Sequence, residues 1–303
     1  MIDLIGDIHG HADKLEALLK KLGYKDSGGV YSHPERKVLF IGDYIDRGPK
    51  IRETLDIVRK MVDSGNAIAL MGNHEYNALC FDITAKEGGH LRKHSISNIL
   101  QHYETLKQFH NLQDEYKEYL EWFKSLPLYY ESDTFRAVHA CWDKNSIAYL
   151  GDTLVEKKLN DELIYQSVQD GTPLKEAVDR TLKGKEMKMP ENLDFQDKEG
   201  RKRTEFRIKW WENPAEMTLK SISVEPIDTL PELPIEDAEL SSKDYYEDKE
   251  KPVFFGHYWL DGEPFLFKKN ICCLDYSVAK GGKLVAYRHN GDSNLDKDCF
   301  IHV

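Results

Sequence analysis

Three short stretches of one kind constrain this chain most. LIGDIHGH (residues 4–11), FIGDYIDRGP (40–49) and ALMGNHEY (69–76) each run from an apolar strand into glycine and then into polar, chemically active side chains. The first strand end delivers Asp7 and His9, the second Asp43, Asp46 and Arg47, the third Asn73 and His74. Carboxylates that leave water for a crowded site need a partner, a metal or a proton. The spacers between the motifs are helical. ADKLEALLKKLG places Leu15, Leu18, Leu19 and Leu22 on one face, with Gly23 able to close the helix. Pro49 opens PKIRETLDIVRKMVDSG, whose stripe is Ile51, Leu55, Val58 and Met61. The β-α-β-α-β order predicts a parallel core sheet covered by helices. Ligands of such sheets gather beyond the carboxyl ends of the strands, where the motifs sit.

The rest of the chain divides by composition. Residues 91–126 read as amphipathic helix, with Tyr116, Leu120 and Phe123 facing the core. FRAVHACWD reads as a strand and a loop. Residues 144–250 are polar and broken by six prolines, from Pro173 to Pro234, and read as an inserted helical cap with an acidic, partly extended stretch from about 224 to 250. PVFFGHYW, ICCLDYS and KLVAYRHN then read as strands of a second sheet. The expected organisation is a core in two parts, 1–143 and 251–303, interrupted by the 144–250 insertion.

Bulk composition narrows the partners. The formal net charge of -11 over 303 residues argues against a general nucleic-acid or anionic-membrane surface, so no stable nucleic-acid complex is expected. No apolar run approaches a membrane span. A first strand beginning at Ile2 leaves no room for a charged leader and a cleavage site. The five cysteines are odd in number and form no C-x-x-C pair, which fits reduced thiols in a cytoplasmic protein. Cys272 and Cys273 lie inside a strand and read as core packing.

Collected at strand ends, Asp7, His9, Asp43, Asn73, His74, His139 and His257 form an oxygen and nitrogen donor set. Such donors suit Mn, Fe or Zn better than Ca. One carboxylate can bridge two ions about 3.5–4 Å apart, a spacing that holds a phosphoryl group and its nucleophile in line. Asp43, on the strand between the other two, is placed to do so. His33, His90, His94, His102, His110, His289 and His302 read as surface or structural.

GDIHG, GDYIDRG and GNHE, followed by VHA (138–140) and FGH (255–257), resemble the signature blocks of the calcineurin-like metallophosphoesterases. They are closest to the phosphoprotein-phosphatase branch, with its bacterial and phage phosphatases and symmetrical dinucleoside tetraphosphatases. The resemblance covers about residues 1–143 and 252–288. It implies an α/β fold, a four-layer αββα sandwich of two mixed sheets, and two metal ions, Mn first with Fe or Zn as alternatives. By the same resemblance Asp7, His9 and Asp43 hold one ion, and Asp43, Asn73, His139 and His257 the other. His74 is implied as the general acid, oriented by Asp46, with Arg47 and Asn73 binding the phosphate. The implied reaction is direct attack by a metal-bound hydroxide on a phosphomonoester, with phosphoproteins as one candidate substrate class. Bis(5'-nucleosyl)-tetraphosphates and other nucleotide or RNA-end phosphates are the alternative.

The chain also departs from the pattern. Tyr76 and Asn77 follow GNHE, where eukaryotic-type phosphatases carry a serine and a phosphate-binding arginine. GRKRTEFRIKWWENP (200–214) offers replacements in Arg201, Arg203 and Arg207, of which Arg207 is preferred. With Phe206, Trp210 and Trp211 the same segment reads either as a base-stacking platform or as a basic helix face with its tryptophans packed inward. Trp142 either walls the site or packs beneath it.

Overall fold

The early strands are apolar on both faces because both faces are covered. β1 (Ile2–Ile5) leads through the Asp7–His9 loop into α1 (Ala12–Leu22), whose four leucines are buried and which Gly23 closes in the left-handed conformation. β2 (Lys25–Ser27) and β3 (Val30–Ser32) make a hairpin. β4 (Lys37–Phe40) pairs parallel with β1, Leu39 opposite Leu4. α2 (Ile51–Asp63) begins two residues after Pro49 and buries its expected stripe. β5 (Ala67–Ala69) pairs parallel with β4. α3 (Asn73–Asp82), α4 (Ile96–Gln108) and α5 (Gln113–Lys124) follow, then β6 (Tyr129–Glu131), β7 (Arg136–Val138) and the helices α6 (Lys144–Thr153), α7 (Asp161–Ser167) and α8 (Pro173–Lys183). Beyond them come β8 (Glu186–Lys188), β9 (Phe195–Gln196), β10 (Lys202–Arg203), β11 (Glu205–Arg207) and α9 (Leu219–Ile222). The chain ends in β12 (Val253–Phe255), β13 (Ile271–Cys273), β14 (Asp275–Tyr276), β15 (Lys283–His289) and β16 (Phe300–His302). This computed structural model describes residues 1–191, 193–196, 200, 202–235, 240 and 245–303.

Two mixed sheets result. The first runs β14-β15-β1-β4-β5, with β16 also on β15, and the second runs β13-β12-β7-β6. Here the structure corrects the sequence reading, which put all three late segments in the second sheet. β12 and β13 lie there, whereas β14 and β15 join the first, β15 running antiparallel to β1. Without β15 the buried strand β1 would keep an open edge of unpaired backbone groups. Leu4, Leu39, Ile41 and Leu70 of the first sheet share one apolar cluster with Ala137, Phe254 and Cys272 of the second. The opposite face of the first sheet, through Ile5, Val38 and Phe40, meets Leu15, Leu18, Val58 and Met61 of α1 and α2.

Within residues 144–250, α6, α7 and α8 belong to the main core through Leu150, Ile164, Val178 and Leu182. The segment beyond Lys185 builds a separate small cluster of Met187, Phe206, Ile208, Ile222, Ile227 and Leu230. Residues 202–207 form strands rather than a helix, and Phe206, Trp210 and Trp211 are buried. Trp211 packs among Phe255, Tyr258 and Phe267, so this aromatic set is core and offers no base platform. Arg201 and parts of the acidic stretch lie outside the described residues. Trp142 is buried against Tyr129 and lines a separate small cavity with Asp143 and Lys185, so it does not wall the space onto which the strand-end donors open. Among the described residues, no helix is long and apolar enough to cross a membrane.

Candidate metal centre

The strand ends converge because their loops are stitched together. Ile8 and His9 both donate their N–H to the Asp43 carbonyl, at 3.0 and 2.8 Å, and Gly10 donates to Tyr44 at 2.8 Å. Glu75, inside GNHE, holds the second loop from the third. Its carboxylate accepts the N–H groups of Asp43 at 2.9 Å, Tyr44 at 2.8 Å and Gly72 at 3.0 Å. Burial and then the Asp43 charge push the Glu75 carboxyl up to about 7. From the second sheet, Gly256 donates to the His139 carbonyl at 2.8 Å, which sets the VHA and FGH loops side by side.

This convergence requires unusual backbone. His9, Asp43, Asp46, Arg47, His257 and Trp259 all adopt positive φ, between 46° and 73°. Non-glycine residues rarely do so, and strain of this kind concentrates where side chains must be aimed. Close approach also explains two glycines: a Cβ at Gly72 would strike Asp43 Oδ1, and one at Gly256 would strike Asp7 Oδ1.

Two overlapping donor groups share one carboxylate. His9, Asp43 and His74 form the first, and Asp43, His139 and His257 the second, with ligand atoms within 4.8 Å of one another in each. Asp43 Oδ2 lies 3.6 Å from His9 Nε2 and 3.4 Å from His139 Nε2. Asn73 Oδ1 lies 3.0 Å from His139 Nε2 and 2.7 Å from His257 Nδ1. Asp7 joins from β1, its Oδ2 accepting the His257 N–H at 3.1 Å. All six expected ligands are therefore brought together.

Their chemistry fits cations. His9 Nδ1 contacts the Ile45 carbonyl at 2.9 Å and His139 Nδ1 the Ile41 carbonyl at 3.0 Å, each through Nδ1–H. In the neutral ring that puts the proton on Nδ1 and aims each Nε2 into the cluster, as for ligating histidines. His9 Nε2 and Asp7 Oδ1 are buried without a hydrogen-bond partner among the described residues. Burial, followed by the positive charge of His74, lowers His9 to about 3, so it presents a neutral imidazole. Burial and repulsion from Asp275 raise Asp7 well above the usual carboxylate range. Burial works against a proton on His139, yet the Asp43 charge outweighs it and lifts His139 to about 10. The buried carboxylates thus draw positive charge to the place where ions would sit.

Beside the cluster lies a relay. His74 Nδ1 meets Asp46 Oδ2 at 2.5 Å. Burial alone would lower the His74 pKa, but Asp43 and Asp46 raise it. Asp46 Oδ1 accepts from Thr105 Oγ1 at 2.5 Å and from His102 Nδ1 at 2.7 Å, and His102 Nε2 meets the Tyr116 hydroxyl at 2.8 Å. His102, read from sequence as a surface or structural histidine, is buried and touches the residue that orients His74. Its helix is amphipathic in the ordinary way, and nothing local marks it. Asp275 and Trp259 were missed for the same reason, whereas Glu75 stood within a recognised motif.

Asp43, Asn73, His74 and His257 open onto one cavity, whose walls include Arg47, Arg203, Arg207, Trp259 and Lys280. Arg47 Cζ sits 4.1 Å from the centre of the Trp259 ring. Arg207 lies 3.7 Å from Glu225, which also lines the cavity.

The sequence model of the calcineurin-like phosphoesterase family matches residues 1–258, and the chain belongs to that family of metal-dependent phosphatases. Among curated relatives, the asymmetrical bis(5'-nucleosyl)-tetraphosphatase PrpE of Geobacillus sp. (strain WCH70) is 30% identical over 192 residues, covering 60% of this chain and 74% of its own length. PrpE of Halalkalibacterium halodurans is 29% identical over 185 residues, with the same coverage of 60% and 74%. A protein serine/threonine phosphatase from Saccharomyces cerevisiae shares the fold, with a TM-score of 0.50 at 14% identity over 100% of this chain and 78% of that one.

Proposed function

We propose that this protein is a dinuclear metal-dependent phosphohydrolase acting on dinucleoside polyphosphates. The observation that carries the catalytic reading is the Asp43 carboxylate shared by two buried donor groups. Asp7, His9 and Asp43 would hold one ion, and Asp43, Asn73, His139 and His257 the other, with manganese preferred and iron or zinc as alternatives. Bound ions supply charge neutralisation for the phosphate and lower the pKa of water from 15.7 toward about 7. The chain's own residues do the rest. Arg47, with its planar guanidinium over Trp259, grips the phosphoryl oxygens through a fork that lysine could not copy. His74 keeps its Nδ1–H on Asp46 and turns Nε2–H toward the leaving oxygen as general acid. Thr105 and His102 hold Asp46 in that orientation.

The architecture supports this reading. Two sheets that face each other across one apolar cluster, with helices outside, suit the four-layer sandwich and bring both sets of strand ends to one edge. Residues 1–143 and 251–303 supply the proposed ligands, and 144–250 supplies Arg207. Five free thiols suit a reducing, cytoplasmic setting.

The named relatives move the preferred substrate from a phosphomonoester to a dinucleoside polyphosphate. Turnover with Mn on a dinucleoside tetraphosphate, a phosphopeptide and a 2′,3′-cyclic nucleotide, side by side, tests it. The tetraphosphate is expected to lead in kcat/KM. A phosphopeptide turned over faster would overturn the substrate reading, and no turnover of any of them would overturn the catalytic one.

A further inference from the structure

The two walls of the cavity differ in charge. On the insertion side, Arg203 and Arg207 share their wall with Glu186, Glu205 and Glu225. Arg207 stands opposite Glu186 in the β8–β11 pairing and 3.7 Å from Glu225. Its charge is largely matched by protein carboxylates, which weakens it as the replacement for the arginine missing after GNHE.

The facing wall is built around Trp259. The Lys280 ammonium sits 4.2 Å from the centre of that ring, and Arg47 Cζ 4.1 Å from it. The ring itself is 6.0 Å from the imidazole of His9, so the pair of cations borders the donor cluster. Lys280 is exposed, and among the described residues its ammonium has no carboxylate at ion-pair distance. A lysine stem lying on an aromatic face loses less freedom on binding than one waving in solvent.

The placement of Lys280 is engineered through Asp275. One oxygen of this buried carboxylate accepts the Trp259 N–H at 2.7 Å, and the other accepts the Ser277 N–H at 3.0 Å. Ser277 Oγ then donates to the Leu260 carbonyl at 3.0 Å. Trp259 and Ser277 both take positive φ, 55° and 58°, to make these bonds. The Trp259 loop and the Val278–Lys280 turn are therefore locked to each other. Such strain at two non-glycine positions has a purpose where it aims a side chain at a ligand.

We propose that Lys280 forms, with Arg47 over Trp259, a second anion subsite that takes the phosphoryl group adjoining the one being cleaved. The subsite has no work to do on a phosphomonoester, which carries a single phosphoryl group. It discriminates in favour of chains of phosphates. The proposal rests on the reading of the cavity as a phosphatase site and names its specificity residue.

The test compares wild type, Lys280→Met and Lys280→Arg. Nitrophenyl phosphate turnover is measured with inorganic tripolyphosphate or inorganic phosphate as inhibitor, at equal free manganese. Removing one charge-assisted contact is expected to weaken tripolyphosphate inhibition about tenfold in Lys280→Met. Inhibition by phosphate, and kcat on nitrophenyl phosphate, should stay near wild type, and Lys280→Arg should retain tripolyphosphate affinity. Unchanged tripolyphosphate inhibition in Lys280→Met, or an equal loss toward phosphate, would overturn the subsite. If the wild type does not cleave nitrophenyl phosphate, the phosphatase reading is decided by the three substrates compared above. Calorimetric titration with tripolyphosphate then decides the Lys280 contact by the same tenfold criterion.

Discussion

Asp3 lies near the amino end of β1 and Asp7 just past its carboxyl end, and both are buried. Asp3, at the amino end, meets protein cations. Its Oδ1 accepts from Arg36 Nε at 3.0 Å and from Arg288 Nε at 3.1 Å. Asp7, past the carboxyl end, faces the carboxylates Asp275 and Asp43, with Oδ1 unpartnered among the described residues. One end of β1 is an ion-pair cluster whose cations, Arg36 and Arg288, come from the chain itself. The other concentrates like charges that bound cations would balance. A buried carboxylate is thus structural or functional according to what surrounds it, and the residue type says neither.

The largest effects should fall at the functional end. Asp43→Asn is expected to abolish tight binding of both ions, because Asp43 belongs to both donor groups, and His139→Ala to abolish tight binding of the one its group would hold. Metal analysis of the purified variants checks this, and two ions still bound at full occupancy would break the comparison. Next, His74→Asn should cut turnover by about 10²–10⁴-fold. The assay needs an unactivated leaving group, since nitrophenolate departs without a proton. Near-wild-type rates on such an ester would remove the acid role.

The two ends should then separate cleanly in stability. Asp3→Ala leaves Arg36 without its buried partner and is expected to cost about 3–5 kcal/mol in urea denaturation. Asp7→Asn, measured with a chelator present, should cost little or stabilise slightly, because it relieves repulsion with Asp275 and Asp43. Equal losses at both positions would erase the contrast. The smallest effect expected on catalysis is at His102, which acts through Asp46. His102→Ala should lower turnover by about 10–100-fold, with a smaller loss on nitrophenyl phosphate than on an unactivated ester. A uniform loss on both would point to general loosening of α4.

Much of the site was legible because its residues follow strands in tight local motifs. Asp7, His9, Asp43, Asn73 and His74 each stand within a few residues of an apolar run, and glycines mark the close approaches. The helices were legible because Leu15 to Leu22 and Ile51 to Met61 repeat at the helical period. What the motifs do not carry is the partner supplied from far along the chain. His102 reaches Asp46 from 56 residues away, in a helix whose pattern records only that one face is buried. The buried roles of Trp210 and Trp211 likewise depend on Phe255, Tyr258 and Phe267, which belong to other elements.

The amino-acid sequence by itself determined the strand-end donors, the helical faces and the order of the first three strands, because hydrophobic period and turn chemistry act over a few residues. Only the tertiary structure decided that β15 covers the open edge of β1, that His102 supports Asp46, and that Lys280 rather than Arg207 faces the donor cluster without a carboxylate partner among the described residues. The physical reason is that pairing between distant segments is settled by which edges and charges remain uncompensated once the core has closed, and no local pattern encodes that remainder.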